Sequence, residues 1–424
     1  MSSVVGSRVS LRERLDRLGG QPRRAPQPKP TIDIPRGFEP VDTPYGVALL
    51  RQDVVSLKPL EPDPGVVAYL DTETTGLSGG SGTLIFAAAV ARPIADGEPS
   101  ATGSSAGGLR LAQFFLPQPG MEPAFLYALN DELQAASAIA SFNGGSFDLP
   151  ILRTRWVMAR MGGELAHPGH LDLLTLVRAL YRHRMESCTL RTVEERLLGY
   201  EREDPIGGAF APDAYFAYMR TGSSTMLELI LEHNRLDVIS LVYLHSLLLK
   251  RLQGMDADMD ASDWLALGRH RFRRGARADG WRALRNAAGF RDGDAAATAG
   301  LWISRRLVRR RAIDSADRLL EDMEERFGGD VRVSVARARL LEWRRRDPTR
   351  ALSVVEAAQR RVPEAAPQLE ARRERLTKKV GRLGGSRDGL RDRRQRNRGE
   401  GWLQGSLGYG AAQGVDDGRV EFRA

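Results

Sequence analysis

Two carboxylates stand one residue apart at the end of an apolar run, in "VVAYLDTETTGL" over residues 66–77. Residues two positions apart on a strand point to the same side, so Asp71 and Glu73 could converge on one cation. Without a cation the two like charges would repel each other. An Asp-x-Glu pair also arises by chance in a long chain. This stretch alone therefore leaves two interpretations open, a metal site and a solvated strand end.

Two further stretches favour the metal site. "SFNGGSFDLP" places Asn143 and Asp148 between a short strand and a helix, and "LEHNRLDVISL" places His233 and Asp237 four positions apart, on one face of a helix. Carboxylate oxygens are the ligands that Mg²⁺ and Mn²⁺ prefer. Four carboxylates at the ends of elements, with a histidine one turn before the last, fit a two-cation site better than four unrelated surface acids.

The elements that must position these side chains lie between about residues 61 and 254. Three strand-like apolar runs come first, "GVVAYLD", "TLIFAAAVA" and "LAQFFLP". Helical segments then alternate with short strands, "AIASFNG" and "GHLDLL", and a long helix follows from about residue 225. This order predicts an α/β domain with a mixed sheet flanked by helices.

The motifs "DTETTGL", "FNGGSFDLP" and "HNRLDV" resemble the three exonuclease motifs of the DEDD superfamily, which has an RNase H-like fold. They resemble in particular those of the bacterial YprB-type group, which joins such a domain to tetratricopeptide-like (TPR-like) repeats. Two intermediate stretches, "HLDLLTLVRALYRHRMESCTLRTVEERLLGYERED" and "FAPDAYFAYMRTG", are also similar to that group. The resemblance covers roughly residues 61–250 and implies a metal-dependent 3′–5′ exonuclease.

The resemblance also implies a role for each acidic residue. Asp71 would bridge two divalent ions, Mg²⁺ or Mn²⁺, with Glu73 and Asp237 completing one of them and Asp148 acting through bound water on the second. Two ions about 3.5–4 Å apart can activate a water and stabilise the leaving 3′ oxygen. His233 would be the general base or a water-orienting group, two tasks to which the chemistry of a histidine side chain is suited.

The sequence departs from the superfamily pattern at His233. In the histidine subclass the histidine precedes the last aspartate by five positions, whereas His233 precedes Asp237 by four, as in the tyrosine subclass. His233 could therefore be a histidine that only packs locally, and Asn234 is the nearest competitor for positioning water. Two substrate contacts follow from the resemblance: Leu77, as a wedge under the terminal base or as a core residue, and Asn143, on a phosphate or as a cap of its turn.

The remaining segments complete a division into four parts. Residues 1–60 would hold a short helix and a Pro-rich linker, and residues 383–424 form a Gly/Arg-rich tail that we predict to be disordered. Over residues 259–382, Ala276, Ala312 and Pro348 recur every 36 residues in helical patterns. This spacing predicts an all-α, TPR-like repeat domain. Such repeats would dock a protein, such as a helicase or repair factor, and their arginine clusters could help to capture nucleic acid.

Composition sets the wider expectations. The net charge of +9 favours a polyanionic partner, and the single cysteine, Cys188, fits a reducing compartment. The apolar runs are shorter than a membrane span, so we expect a cytoplasmic protein with no membrane contact. The favoured function is removal of nucleotides from DNA ends, as in DNA repair. Two alternatives are an exoribonuclease of RNA processing and a catalytically inert scaffold that binds nucleic acid or protein.

Overall fold

A computed structural model of the chain describes residues 32–56, 67–76, 82–94, 108–162, 169–202 and 207–396, with side chains as far as residue 382. Leu77 and the helix predicted near Ser10 lie outside the described residues. The chain divides into two compact units, Met1–Gly280 and Trp281–Ala424.

The first unit is built on a seven-stranded sheet in the order β1-β2-β5-β4-β3-β6-β7. The strands are β1 Glu39–Thr43, β2 Gly46–Ser56, β3 Val67–Thr74, β4 Ile85–Pro93, β5 Gly108–Phe115, β6 Ala138–Ser141 and β7 His170–Asp172. The first five pair antiparallel, whereas β6 runs parallel to β3 and β7 runs parallel to β6. The sheet is therefore mixed, as the sequence predicts.

Strands β3 and β4 form the buried centre of this sheet. Residues 68–70 of β3 and residues 86–91 of β4 are fully buried. A continuous apolar run of this kind is typical of a strand covered on both faces. The polar residues at the end of β3 therefore lie beside a rigid core, which fixes the direction of their side chains.

Helices flank the sheet. They are α1 Glu122–Gln134, α2 Asp148–Met158, α3 Leu173–Tyr181, the short α4 Leu190–Val193, α5 Ala211–Thr221, α6 Thr225–Gln253 and α7 Ala261–Arg273. The long helix α6 packs directly against β3 and β4. It ends at Gly254, whose φ of 71° is the left-handed conformation that glycine adopts at helix ends. The predicted fold class, an RNase H-like sheet with helices followed by a helical region, is confirmed.

The described residues differ from the predicted division at three places. Residues 39–56, assigned to the N-terminal segment, form β1 and β2, and residues 49–56 of β2 pair with β5. Helix α7, the first helix of the predicted repeat region, belongs to the first unit, where it packs against α3. The last helix continues to Arg396, beyond residue 383 where we predicted disorder. Residues 397–424 lie outside the described residues, so the disorder of that part of the tail stays a prediction.

The second unit is helical. Its helices are α8 Arg277–Ala288, which begins at the boundary, α9 Asp294–Arg309, α10 Ile313–Arg326, α11 Val331–Leu340, α12 Pro348–Arg361 and α13 Ala366–Arg396. From α9 onward each helix packs against the next. Helices α8, α10 and α12 begin at or directly after the three residues of the 36-residue step. The TPR-like interpretation stays a prediction. No helix among the described residues is long and apolar enough to cross a membrane.

Candidate active site

Strand β3 supplies the first two carboxylates. Asp71 and Glu73 lie on the same side of the strand, near its end. The pairing with β4 shifts between Glu73 and Thr74, which is a bulge or irregularity of the kind that re-aims side chains next to active sites. Glu73 is only 8% exposed. A buried carboxylate needs a partner for its charge, and this one stands two residues from another carboxylate.

The turn before α2 supplies the third carboxylate, Asp148, which is the first residue of that helix. A Cβ atom at Gly144 would lie 2.2 Å from Ser141 Oγ and 2.9 Å from Asp148 Oδ2. Only glycine therefore allows the turn to fold this closely over the end of β6. The Thr72 hydroxyl donates a hydrogen bond to Asp148 Oδ1 at 2.5 Å, which joins α2 to β3 between the other two acids.

Helix α6 supplies the fourth carboxylate, Asp237, together with His233 and Asn234. Asn234 is fully buried and donates to Asp71 Oδ2 at 2.7 Å and to the Asp71 backbone carbonyl at 3.1 Å. The Asn234 side-chain carbonyl accepts from Gln113 of β5 at 2.9 Å. This amide chain fixes the position of α6 along the sheet and so places Asp237 opposite the end of β3.

The four carboxylates interact electrostatically. Burial raises the pKa of Asp71 well above its usual range, and the charges of Asp237, Glu73 and Asp148 raise it further. Burial also raises the pKa of Asp148, although the hydrogen bond from Thr72 opposes that shift. Three elements that are distant in sequence thus bring Asp237, Glu73 and Asp148 close enough to Asp71 to raise its pKa.

His233 lies at the same place. Its Nε2 atom is 3.6 Å from Asp237 Oδ2. A Cβ atom on Gly208 would lie 3.2 Å from His233 Nε2 and 3.9 Å from Glu73 Oε1, so the histidine and the glutamate both approach this glycine. The four-position spacing therefore brings the histidine to the quartet in spite of its departure from the histidine subclass.

Comparison with known proteins agrees with the fold of this domain. Residues 68–249 match the family described as RNase_H superfamily. An uncharacterized protein of Bacillus subtilis (strain 168), YprB, is 35% identical over 185 residues. Residues 68–249 are therefore similar to an RNase H superfamily domain of the YprB type. The aligned region covers 43% of this chain and 42% of the Bacillus protein, so the comparison concerns this domain alone. The match to this superfamily supports nuclease activity.

One arginine beside the acidic residues, Arg202, was not predicted from the sequence. Arg202 donates to Asp237 Oδ1 at 2.5 Å and also to Glu194 Oε1. Its NH1 atom lies 3.4 Å from His233 Nδ1. The signal was present in the stretch "RTVEERLLGYERED", which contains both Glu194 and Arg202, but no periodicity links the two residues to the acidic motifs.

Of the two residues expected to contact substrate, the structure describes Asn143 but not Leu77. Asn143 has a left-handed φ of 68°, and its backbone N–H donates to Asp172 Oδ1 at 3.0 Å. Asp172 also accepts from Leu174 N at the start of α3. Asp172 is thus an anchor of the turn, while contact of Asn143 with a phosphate stays a prediction.

A second cluster lies away from the motifs. Among the residues whose side chains the structure describes, His183, Asp260 and Asp263 are the one group of three possible metal ligands whose ligand atoms all lie within 4.8 Å of one another. Arg184 and Arg251 already form ion pairs with Asp263. Burial would raise the pKa of Asp263, but hydrogen bonds from His183 and Arg184 hold it well below its usual range. We read this cluster as an ion-pair network that attaches α7. Among the described residues, the ligand atoms of Asp71, Glu73, Asp148 and Asp237 are spaced more widely than those of this cluster. Wider spacing is expected of four carboxylates that repel one another.

Proposed function

We propose that this protein is a metal-dependent 3′–5′ exonuclease that hydrolyses phosphodiester bonds at nucleic-acid ends, with DNA as the favoured substrate and DNA repair as the setting. The observation that supports it most is the convergence on Asp71 of Asp237, Glu73 and Asp148. The superfamily match supports nuclease activity. The direction of digestion and the preference for DNA rest on the resemblance of the motifs.

The donor set fits hard divalent cations. It consists of carboxylate oxygens, and burial of Asp71 beside three other acids is unfavourable unless protons or cations neutralise the group. Asp71, Glu73, Asp148 and Asp237 would together hold two Mg²⁺ or Mn²⁺ ions. When bound, such ions activate a water and stabilise the leaving 3′ oxygen.

The chain's own donors hold three of these carboxylates in place. Asn234 engages Asp71 Oδ2, Thr72 engages Asp148 Oδ1, and Arg202 engages Asp237 Oδ1. Hydrogen bonds of this kind orient metal-ligating carboxylates, and their loss typically costs 10- to 100-fold in metal affinity or activity. The RNase H-like domain therefore carries the supporting contacts that a cation site needs as well as the candidate ligands.

The surroundings of His233 favour a hydrogen-bond donor over a general base. The guanidinium of Arg202 can only donate, so its contact with His233 Nδ1 uses the lone pair of that nitrogen. The neutral ring then carries its proton on Nε2, the atom on the side of Asp237 and Gly208. We propose that Nε2–H orients the attacking water or a phosphate oxygen of the substrate.

The proposal extends to partners and location. Asn143 would contact a backbone phosphate, and Leu77 would lie under the terminal base. In the second unit, Arg306 stacks over the ring of Trp281 at 4.1 Å. The pKa of Arg306 is lowered by burial and by the charges of Arg310 and Arg285, so three guanidinium groups share one region. We propose that this region attracts nucleic acid, that the helical unit docks a helicase or repair factor, and that the protein acts in the cytoplasm.

An assay with four substrates tests the function. Purified protein is given 5′-labelled single- and double-stranded DNA and RNA with Mg²⁺, Mn²⁺ or EDTA. A ladder that shortens from the 3′ end of DNA, abolished by EDTA and by Asp71→Asn, supports the proposal. Products from RNA alone would point instead to an exoribonuclease. Folded protein that yields no product from any substrate would leave the inert scaffold.

A further inference from the structure

We propose that Arg202 is a positioning residue, which holds Asp237 through Oδ1 so that Oδ2 becomes the oxygen offered to a divalent cation. The inference rests on the proposed function, because it assigns a partner to one carboxylate of the same site. It adds Arg202, which contacts Asp237, and Glu194, which contacts Arg202; the acidic motifs predict neither contact.

Arg202 is buried between two carboxylates. Its side chain is 6% exposed, that of Glu194 is 2% exposed and that of Asp237 is 14% exposed. NH2 donates to Glu194 Oε1, and NH1 donates to Asp237 Oδ1 at 2.5 Å. Both ion pairs are shielded from solvent, so they constrain geometry far more than an exposed pair does.

The local backbone is shaped to make this contact. Helix α4 leads into a π-type turn, Glu194–Leu198, which ends at Gly199 with φ of 64°. The N–H of Tyr200 then donates to the backbone carbonyl of Glu194 at 3.0 Å. The chain therefore reverses direction and brings Arg202 back beside the Glu194 side chain, and the turn itself packs against α6.

The arrangement separates two tasks for Asp237. Oδ1 receives the guanidinium, whereas Oδ2 is the oxygen 3.6 Å from His233 Nε2, on the side of the catalytic histidine candidate. Glu194 compensates the positive charge of Arg202. A cation held by the quartet is therefore less strongly repelled by the guanidinium, because the Arg202–Glu194 pair has no net charge.

A competing arrangement makes the opposite prediction. If the guanidinium of Arg202 only occupied the place of a metal ion beside Asp237, it would compete with Mn²⁺ for that carboxylate. Removal of Arg202 would then make Mn²⁺ bind more tightly. If Arg202 positions Asp237, its removal releases the carboxylate and Mn²⁺ binds more weakly. The direction of the change in Mn²⁺ affinity therefore distinguishes the two.

The test measures Mn²⁺ binding to the full-length protein by electron paramagnetic resonance, without nucleic acid. We expect Arg202→Met to raise the dissociation constant about 10- to 100-fold. Arg202→Lys, which keeps the charge but loses the planar fork, should fall between Arg202→Met and the wild type. Glu194→Gln provides a second variant that leaves Arg202 in place. Its uncompensated guanidinium should also weaken Mn²⁺ binding.

The matched control is Arg191→Met, which removes an exposed ion pair with Glu195, 3.1 Å long, from the same helical segment. This variant should bind Mn²⁺ like the wild type. Denaturant unfolding in EDTA identifies any variant that fails to fold. Unchanged or tighter Mn²⁺ binding in folded Arg202→Met would overturn the proposed role of Arg202 but not the proposed metal site. A wild-type protein that binds no Mn²⁺ would overturn the proposed metal site as well.

Discussion

The side-chain amide of Asn234 donates to Asp71 Oδ2 at 2.7 Å and, in the same contact, to the backbone carbonyl of Asp71 at 3.1 Å. Asn234 is itself held by Gln113 of β5. Because Asn234 and Gln113 are both fully buried, the position of Asp71 is set by a neutral network rather than by another charge. The two contacts lock the acidic end of β3 to the helix that carries Asp237.

Removal of the amide should loosen Asp71. We expect Asn234→Ala to weaken Mn²⁺ binding about 10- to 100-fold, because a carboxylate without its hydrogen-bond partner is less well oriented. In the absence of metal, Asn234→Asp should have a lower free energy of unfolding than Asn234→Ala, since it adds a fifth acid to the site. Isothermal titration with Mn²⁺ measures the first effect and denaturant unfolding in EDTA measures the second. Asn130→Ala, a buried asparagine on α1, is the control and should leave Mn²⁺ affinity unchanged.

Substitutions of His233 separate a donor from a general base. His233→Ala should lose about 100-fold or more of turnover while DNA ends still bind, because the loss concerns a group that acts on the reacting atoms. His233→Gln keeps an N–H donor but cannot accept a proton, so we expect it to retain clearly more turnover than His233→Ala. Single-turnover rates and filter-binding affinities measure the two properties. Equal loss in both variants would contradict the donor role.

The stability of the first unit should depend on pH through His245. This histidine is buried beside Tyr69, whose hydroxyl lies 2.9 Å from His245 Nδ1, and burial lowers the pKa of His245 to about 4. The unfolded chain, with an ordinary histidine pKa of about 6.5, binds the extra proton between these values. The free energy of unfolding should therefore fall as pH drops from about 6.5 to 4, by at most about 3 kcal/mol.

Denaturant titrations at several pH values measure this slope in wild type and in His245→Gln. The wild-type curve should be steeper over that interval, because the glutamine cannot take up a proton. Parallel curves would show that His245 does not carry the effect.

The arginine cluster of the second unit should govern non-specific affinity for nucleic acid. Arg306 lies over Trp281, with Arg285 and Arg310 close enough to lower its pKa. A variant with Arg306 and Arg310 both changed to alanine should bind single-stranded DNA more weakly and with a shallower salt dependence, since fewer counterions are released. Fluorescence anisotropy over a range of salt concentrations measures both. Arg360→Ala, an exposed arginine on α12, is the control. The turnover of a saturating substrate should not change.

The acidic groups could be singled out from the sequence because each lies in a short motif in or next to a regular element. Asp71 and Glu73 follow a buried strand, Asp148 begins a helix, and the spacing of His233 and Asp237 places both on one helical face. Element type and spacing favoured a cation site, and the resemblance to DEDD exonucleases implied that these four side chains act together. The structure places Asp237, Glu73 and Asp148 close enough to Asp71 to raise its pKa.

The contacts that support those groups could not be predicted in the same way. Arg202 reaches Glu194 only because a π-type turn and a left-handed Gly199 reverse the chain, and neither leaves a periodic signal. Strand β2 was not predicted, because it follows a Pro-rich stretch and its partner, β5, lies more than fifty residues further along the chain. The Arg202–Glu194 contact and the pairing of β2 both depend on contacts formed in the folded chain. Local patterns in a single sequence do not reveal such contacts.

The most direct test of the central claim is the initial rate of nucleotide release from the 3′ end of labelled DNA, measured at saturating Mg²⁺ for the wild type and four variants. The variants are Asp71→Asn, Glu73→Gln, Asp148→Asn and Asp237→Asn. Loss of a ligand should remove several kcal/mol of transition-state stabilisation, so we predict that each variant is slower by roughly 10³-fold. A folded Asp148→Asn or Asp237→Asn protein that released nucleotides at the wild-type rate would contradict the claim that all four carboxylates form one catalytic site.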